Sequence, residues 1–184
     1  MLVAFGCTLV LRRRGERYVS TGTLLIGIAA FIGMLRFGVN PELADLHRFV
    51  SALATCAGLP LMAVQYASTR FGWPGRDGRM NTMGASVVGF AAFGLAFPVD
   101  LYPTVVGALA MIVVLVAGLA TLPGPERARG AMAAVGALLF ALAGLVVGTT
   151  GTLGPFLRID VFHAVLCVAV GLLAAGLPER PADW

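Results

Sequence analysis

Apolar residues in this chain fall in long unbroken blocks separated by short polar gaps, without the alternation of a half-buried strand or the single stripe of a surface helix. The blocks cover 1–11, 20–39, 45–67, 83–99, 102–122, 130–148 and 156–177. A membrane-crossing helix needs about 20 apolar residues, and the last six blocks reach that length when tilt or local thinning is allowed. The first block makes a helix of only ~16 Å at 1.5 Å per residue, against a hydrocarbon core of ~30 Å. The pattern therefore predicts an all-α fold: one integral membrane domain over 1–184, a polytopic bundle of seven spans, or six if the first run does not cross.

Composition closes the soluble alternative. With 59% apolar residues, 12% charged residues and a mean hydropathy of +0.91, there is too little polar surface to coat a core of this size. The net charge of +4 is carried by arginines that topology and lipid headgroups explain, so no nucleic-acid partner is expected. Membrane lipids, and other membrane subunits, are the expected partners.

All thirteen basic residues are arginines, and they are distributed asymmetrically. Alternate gaps collect Arg12, Arg13, Arg14, Arg17, Arg70, Arg76, Arg79, Arg127, Arg129 and Arg180, while the opposite side has only Arg36, Arg48 and Arg158. The positive-inside bias makes the first group and the carboxyl terminus cytoplasmic. A secretory signal would carry its charge before the apolar stretch; here Arg12-Arg13-Arg14 follows it. Abundant Ala, Gly, Val and Arg with no Lys suggests a GC-rich bacterial gene, and hence the inner membrane.

Turn chemistry marks the boundaries. Asn40-Pro41-Glu42 supplies a cap, a proline at a first helical position and an acid at the positive helix end. Residues 72–78 and Pro123-Gly124-Pro125 form loops on the arginine-rich side, and 97–103 a tight hairpin on the other. Cys7, Cys56 and Cys167 all lie inside apolar blocks, which argues for packing rather than disulfides. Glycines four apart, as at Gly144 and Gly148, predict close helix packing.

The chemistry-bearing residues gather on the arginine-poor side. His47, Ser51 and Thr55 follow a four-residue spacing and share one helix stripe, and Asp160, His163 and Cys167 share another. Imidazole and carboxylate are zinc ligands, so His47, His163 and Asp160 form a candidate metal set. Arg158 with Asp160, and Arg48 with Glu42 or Asp45, form candidate ion pairs, and Arg36 is placed to snorkel or to meet an anionic headgroup. The bland account of the same residues is a polar cluster at a helix start near the headgroups, where such side chains sit at low cost.

With Asp160-Val-Phe-His163-Ala, His47 and Ser51 near one membrane face, the chain resembles the CREST membrane hydrolases, which include the alkaline ceramidases and the progestin and adipoQ receptors. The resemblance implies seven spans and a zinc held by histidines with Asp and Ser nearby. Here Asp160 or Glu42 would stand in place of a third histidine. The implied activity is hydrolysis of a lipid amide or ester, with zinc and Asp160 activating a water that Ser51 orients. Two readings of other classes stand beside it: His47 and His163 ligating one haem or another pigment, and an accessory or structural membrane subunit with no reaction of its own.

Overall fold

The computed structural model describes residues 1–73, 78–96 and 101–178. Arg76 and Arg180 of the arginine-rich group lie outside the described residues, as do 74–77 of the predicted loop and 97–100 of the predicted hairpin. The described chain is helical throughout apart from one small hairpin. Its helices are α1 (Leu2–Arg13), α2 (Arg17–Gly38), α3 (Ala44–Leu53), α4 (Leu59–Phe71), α5 (Gly78–Ala96), α6 (Tyr102–Thr121), α7 (Arg127–Leu142) and α8 (Arg158–Ala175). A π turn, Ala54–Gly58, joins α3 to α4 without a break, and a second, Ala143–Val147, extends α7. The two-residue strands β1 (Thr152–Leu153) and β2 (Phe156–Leu157) pair antiparallel ahead of α8. The last predicted span therefore starts at Arg158; Phe156 belongs to the hairpin.

Among the described residues, five helical stretches are long and apolar enough to cross a membrane: Arg17–Gly38, Pro41–Phe71, Tyr102–Thr121, Arg127–Val147 and Arg158–Ala175. Within α5 the apolar part is shorter, Met83–Ala92. The first helix, at 12 residues, runs ~18 Å and packs along only part of α2. The pairing of Gly27 with Ala4 and Phe5 puts the start of α1 opposite the middle of its neighbour.

Short links make sequential helices antiparallel, which fixes their registers. In the α2–α3–α4 hairpin, residues whose numbers add to about 80 face each other, as Gly33 does His47 and Gly22 does Gly58. Asn40 supports the link as expected, its Oδ1 accepting from the Glu42 amide at 2.9 Å above Pro41. The α1–α2 hairpin is sewn by hydroxyls. Thr8 Oγ1 lies 2.9 Å from Thr23 Oγ1, and Ser20 Oγ donates to the Thr8 carbonyl at 3.2 Å. Buried hydroxyls away from water must find such partners.

The core gathers Leu11, Val19, Met62, Tyr66, Met111, Val114, Ala133, Leu173 and Leu177 from α1, α2, α4, α6, α7 and the end of α8. Tyr66, fully buried, donates its hydroxyl to the Leu173 carbonyl and so ties α4 to α8. Small residues permit the closest approaches. A methyl group at Gly118 would stand 2.8 Å from the Ala134 nitrogen, and one at Gly130 2.7 Å from the Gly118 oxygen. Gly144 and Gly148, by contrast, have nothing within 4 Å of such a methyl, and Gly148 ends its helix at φ +65°. The glycine packing predicted there occurs instead at the α6–α7 and α7–α8 seams, because Gly144 faces outward.

The two ends of the bundle differ in charge. Arg70 donates to the Ala120 carbonyl at 2.8 Å and Arg129 to the Leu177 carbonyl at 3.1 Å, so these arginines share one end with Arg14 and Arg17 at the α1–α2 turn. Arg36, Arg48 and Arg158 stand at the other end.

Candidate functional site at the arginine-poor end

Three elements supply the site: the end of α2, the start of α3 and the start of α8. His47 is half-buried against α2, where Gly33 leaves the space for its ring. A methyl group at Gly33 would come within 2.8 Å of His47 Nε2. Arg36 Nη1 lies 3.1 Å from His47 Nδ1. A guanidinium only donates, so Nδ1 is the acceptor and the imidazole is neutral with its proton on Nε2. Phe37 meets the ring edge-on, with centroids 5.9 Å apart, and the Arg36 guanidinium stands 4.7 Å from the Phe37 ring centre. Nδ1 of His47 is therefore engaged by a cation, and Nε2 lies over Gly33.

His163 is half-buried on α8, which starts from the same end of the bundle as α3. Its own surroundings include Asp160 and the Ile159 carbonyl one turn earlier, and the Phe162 ring packs edge-on at 5.5 Å. Asp160 is exposed. Ser51, half-buried one turn below His47, offers its carbonyl to Thr55 Oγ1 at 3.0 Å. The fold thus starts the helices of His47 and His163 at one end of the bundle without packing them on each other, and puts Asp160 one turn before His163. Among the described residues, however, no group of three His, Cys, Asp or Glu side chains is arranged to hold a metal ion.

The expected ion pairs are redistributed. Arg48 pairs with Asp45 at 3.2 Å, with both side chains more than three-quarters exposed, so the bridge contributes little. Arg158 does not pair with Asp160 but turns to backbone, reaching the carbonyls of Val147 at 3.1 Å and Thr152 at 3.4 Å. The end of the α7 extension has carbonyls without intrahelical partners, and a cation there answers both that need and the helix dipole. Arg36 likewise does not snorkel outward but bends onto His47.

Gly33 is the site residue that the sequence did not mark, and Arg36 is one that it marked for the headgroups and not for His47. Nothing local distinguishes Gly33 among 24 glycines. The signal that finds it is the hairpin register, which follows from the short 39–40 link and sets position 33 opposite 47. Cys167, on the expected stripe one turn below His163, is a free thiol.

Compared with protein-family models, with curated proteins and with solved structures, the chain matches none. Its function is therefore argued from the site itself.

Proposed function

We propose that the chain is an integral membrane bundle of structural or accessory kind, in which Gly33, Arg36 and His47 lock α3 against α2 at the arginine-poor end and carry out no reaction. The observation that carries this reading is the state of His47, with Arg36 donating to Nδ1 and Gly33 against Nε2. A metal or haem iron takes an imidazole lone pair. At His47 that lone pair already accepts from Arg36, and a guanidinium beside a divalent cation is a repulsive neighbour. As arranged, the donors do not fit zinc.

In the membrane, this reading has six crossing segments: α2, α3 with α4, α5, α6, α7 and α8. The short α1 packs inside the arginine-rich half, and a seventh crossing would need it to be longer. The arginine-rich end faces the cytoplasm by the positive-inside bias, which in a bacterium makes the inner membrane the location. Other membrane subunits would be its protein partners.

The zinc-dependent hydrolase reading keeps one favourable observation, the start of α3 with His47 and of α8 with Asp160 and His163 at the same end of the bundle. It requires Arg36 to withdraw. Metal analysis of the purified protein, with zinc titration and a visible spectrum, separates the readings. The structural reading expects no stoichiometric zinc and no haem absorbance, together with lowered stability in His47→Ala. Zinc bound one to one and lost in His163→Ala would overturn it in favour of the hydrolase. A haem band lost in either histidine variant would overturn it in favour of a haem-binding protein.

A further inference from the structure

A lateral groove opens between α4, α5 and α6, on the opposite side of α4 from its α2 contacts. Its volume is about 360 Å³ and its walls are apolar, with Ala63, Val64, Val87 and Val106 among them. Phe90 and Leu109 on its rim are exposed at 69% and 59%, so the groove faces outward from the bundle.

The two ends of the groove are unlike. At the end towards His47, Tyr102 crosses from α6 to α5 and donates to the Phe90 carbonyl at 2.7 Å, with its ring packed over Gly94. That end is closed. At the opposite end stand Trp73, which lines the groove and is 59% exposed, and Arg70, one turn beyond the lining residue Ala67. Arg70 spends Nη2 on the Ala120 carbonyl and stacks at 5.8 Å on Phe71. Its remaining N–H groups make no hydrogen bond or ion pair among the described residues. An apolar groove bridged by Tyr102 at one end, with an exposed tryptophan and an arginine at the other, matches an amphiphile with a long apolar tail and an anionic head.

We propose that this groove binds an anionic phospholipid from the leaflet on the Arg70 side, with one acyl chain lying between α5 and α6 and the phosphate at Arg70. The inference needs only that these helices lie in a bilayer and is independent of the role of His47. A chain entering from the other leaflet would meet the Tyr102–Phe90 bridge. A zwitterionic headgroup offers Arg70 the same phosphate, but its own cation cancels the net charge that attracts the arginine.

Trp73 is itself the reporter, since the sequence holds only one other tryptophan, Trp184. In a Trp184→Phe background, the full chain is reconstituted in phosphatidylcholine vesicles. These contain a low mole fraction of acyl-brominated phosphatidylglycerol or, in parallel, of acyl-brominated phosphatidylcholine. The expected result is stronger Trp73 quenching by the brominated phosphatidylglycerol, corresponding to about a fivefold preference, the attraction of one arginine for an anionic surface. Arg70→Gln should bring the preference close to one, and Arg70→Lys should retain it. Val106→Phe fills the groove without touching the Arg70–Ala120 link and should lower quenching by both lipids. Equal quenching of the Trp184→Phe protein by the two lipids overturns the proposal, as does quenching that Val106→Phe leaves unchanged. Protection of Trp73 from both lipids, with a cross-linked dimer through α5, would assign the groove to a second copy and also overturn it.

Discussion

Replacing Gly118 by alanine tests how the α6–α7 seam is built. A methyl group there would stand 2.8 Å from the Ala134 nitrogen and 2.9 Å from the Gly130 oxygen, where ordinary contact begins near 3.4 Å. The shortfall is about 0.6 Å, and the opposing atoms are backbone, which cannot rotate aside. The helices must part along a seam that also holds Gly130 and Thr121. Overpacking of this kind costs about 1–3 kcal/mol. Alanine recovers about 1 kcal/mol over glycine as a helix former, so the net loss is at most about 2 kcal/mol. Gly89→Ala is the matched control, because nothing lies within 4 Å of a methyl group at Gly89. It receives the helix-forming gain without the clash, and the difference between the two variants isolates the steric term at about 1–3 kcal/mol. Unfolding by sodium dodecyl sulfate in mixed micelles, followed by far-ultraviolet circular dichroism, measures that difference. Because Gly118 and Gly130 face each other, the double alanine variant should lose less than the two single losses together, by about 0.5 kcal/mol or more. Equal stability of Gly118→Ala and Gly89→Ala would refute the account of this seam.

Further variants test the other contacts. Tyr66→Phe removes the donor to the Leu173 carbonyl while keeping the ring, and should cost about 1 kcal/mol in the same unfolding experiment. Thr8→Val deletes the link to Thr23 and should cost about 0.6 kcal/mol, with ~1.7 as the upper end for hydroxyl bonds between membrane helices; a gain in stability would remove the polar seam from the argument. Nitrogen NMR of a histidine-labelled sample should show His47 as the neutral imidazole with its proton on Nε2, and Arg36→Gln should move the Nδ1 resonance while leaving that of His163 nearly in place. Gly33→Ala should disturb the same resonance by pushing the ring off α2, which a solvent-facing His47 would not report.

Much of the architecture was already legible as hydropathy, because a bilayer demands long, backbone-satisfied apolar helices and little else. The blocks at 20–39, 102–122 and 130–148 fall within a few residues of α2, α6 and α7 with its extension, and Asn40 caps where its side chain said it would. The short first block matches the 12 residues of α1. The two histidine stripes likewise predicted that His47 and His163 would come to the same end, since antiparallel helices return alternate gaps to one side.

What the sequence could not fix was the partner of each polar group, because that depends on register and rotation between helices far apart in number. Arg158 had a carboxylate two residues away but found carbonyl groups at the end of the α7 extension, where unpartnered oxygens and the helix dipole offered more than an exposed Asp160. Gly144 and Gly148 had the packing spacing but faced outward, while Gly118 and Gly130, twelve residues apart, met across a hairpin. His47 looked like a ligand in isolation. Only the α2–α3 register, which sets Gly33 beneath its ring and Arg36 on its nitrogen, gave that imidazole a structural occupation.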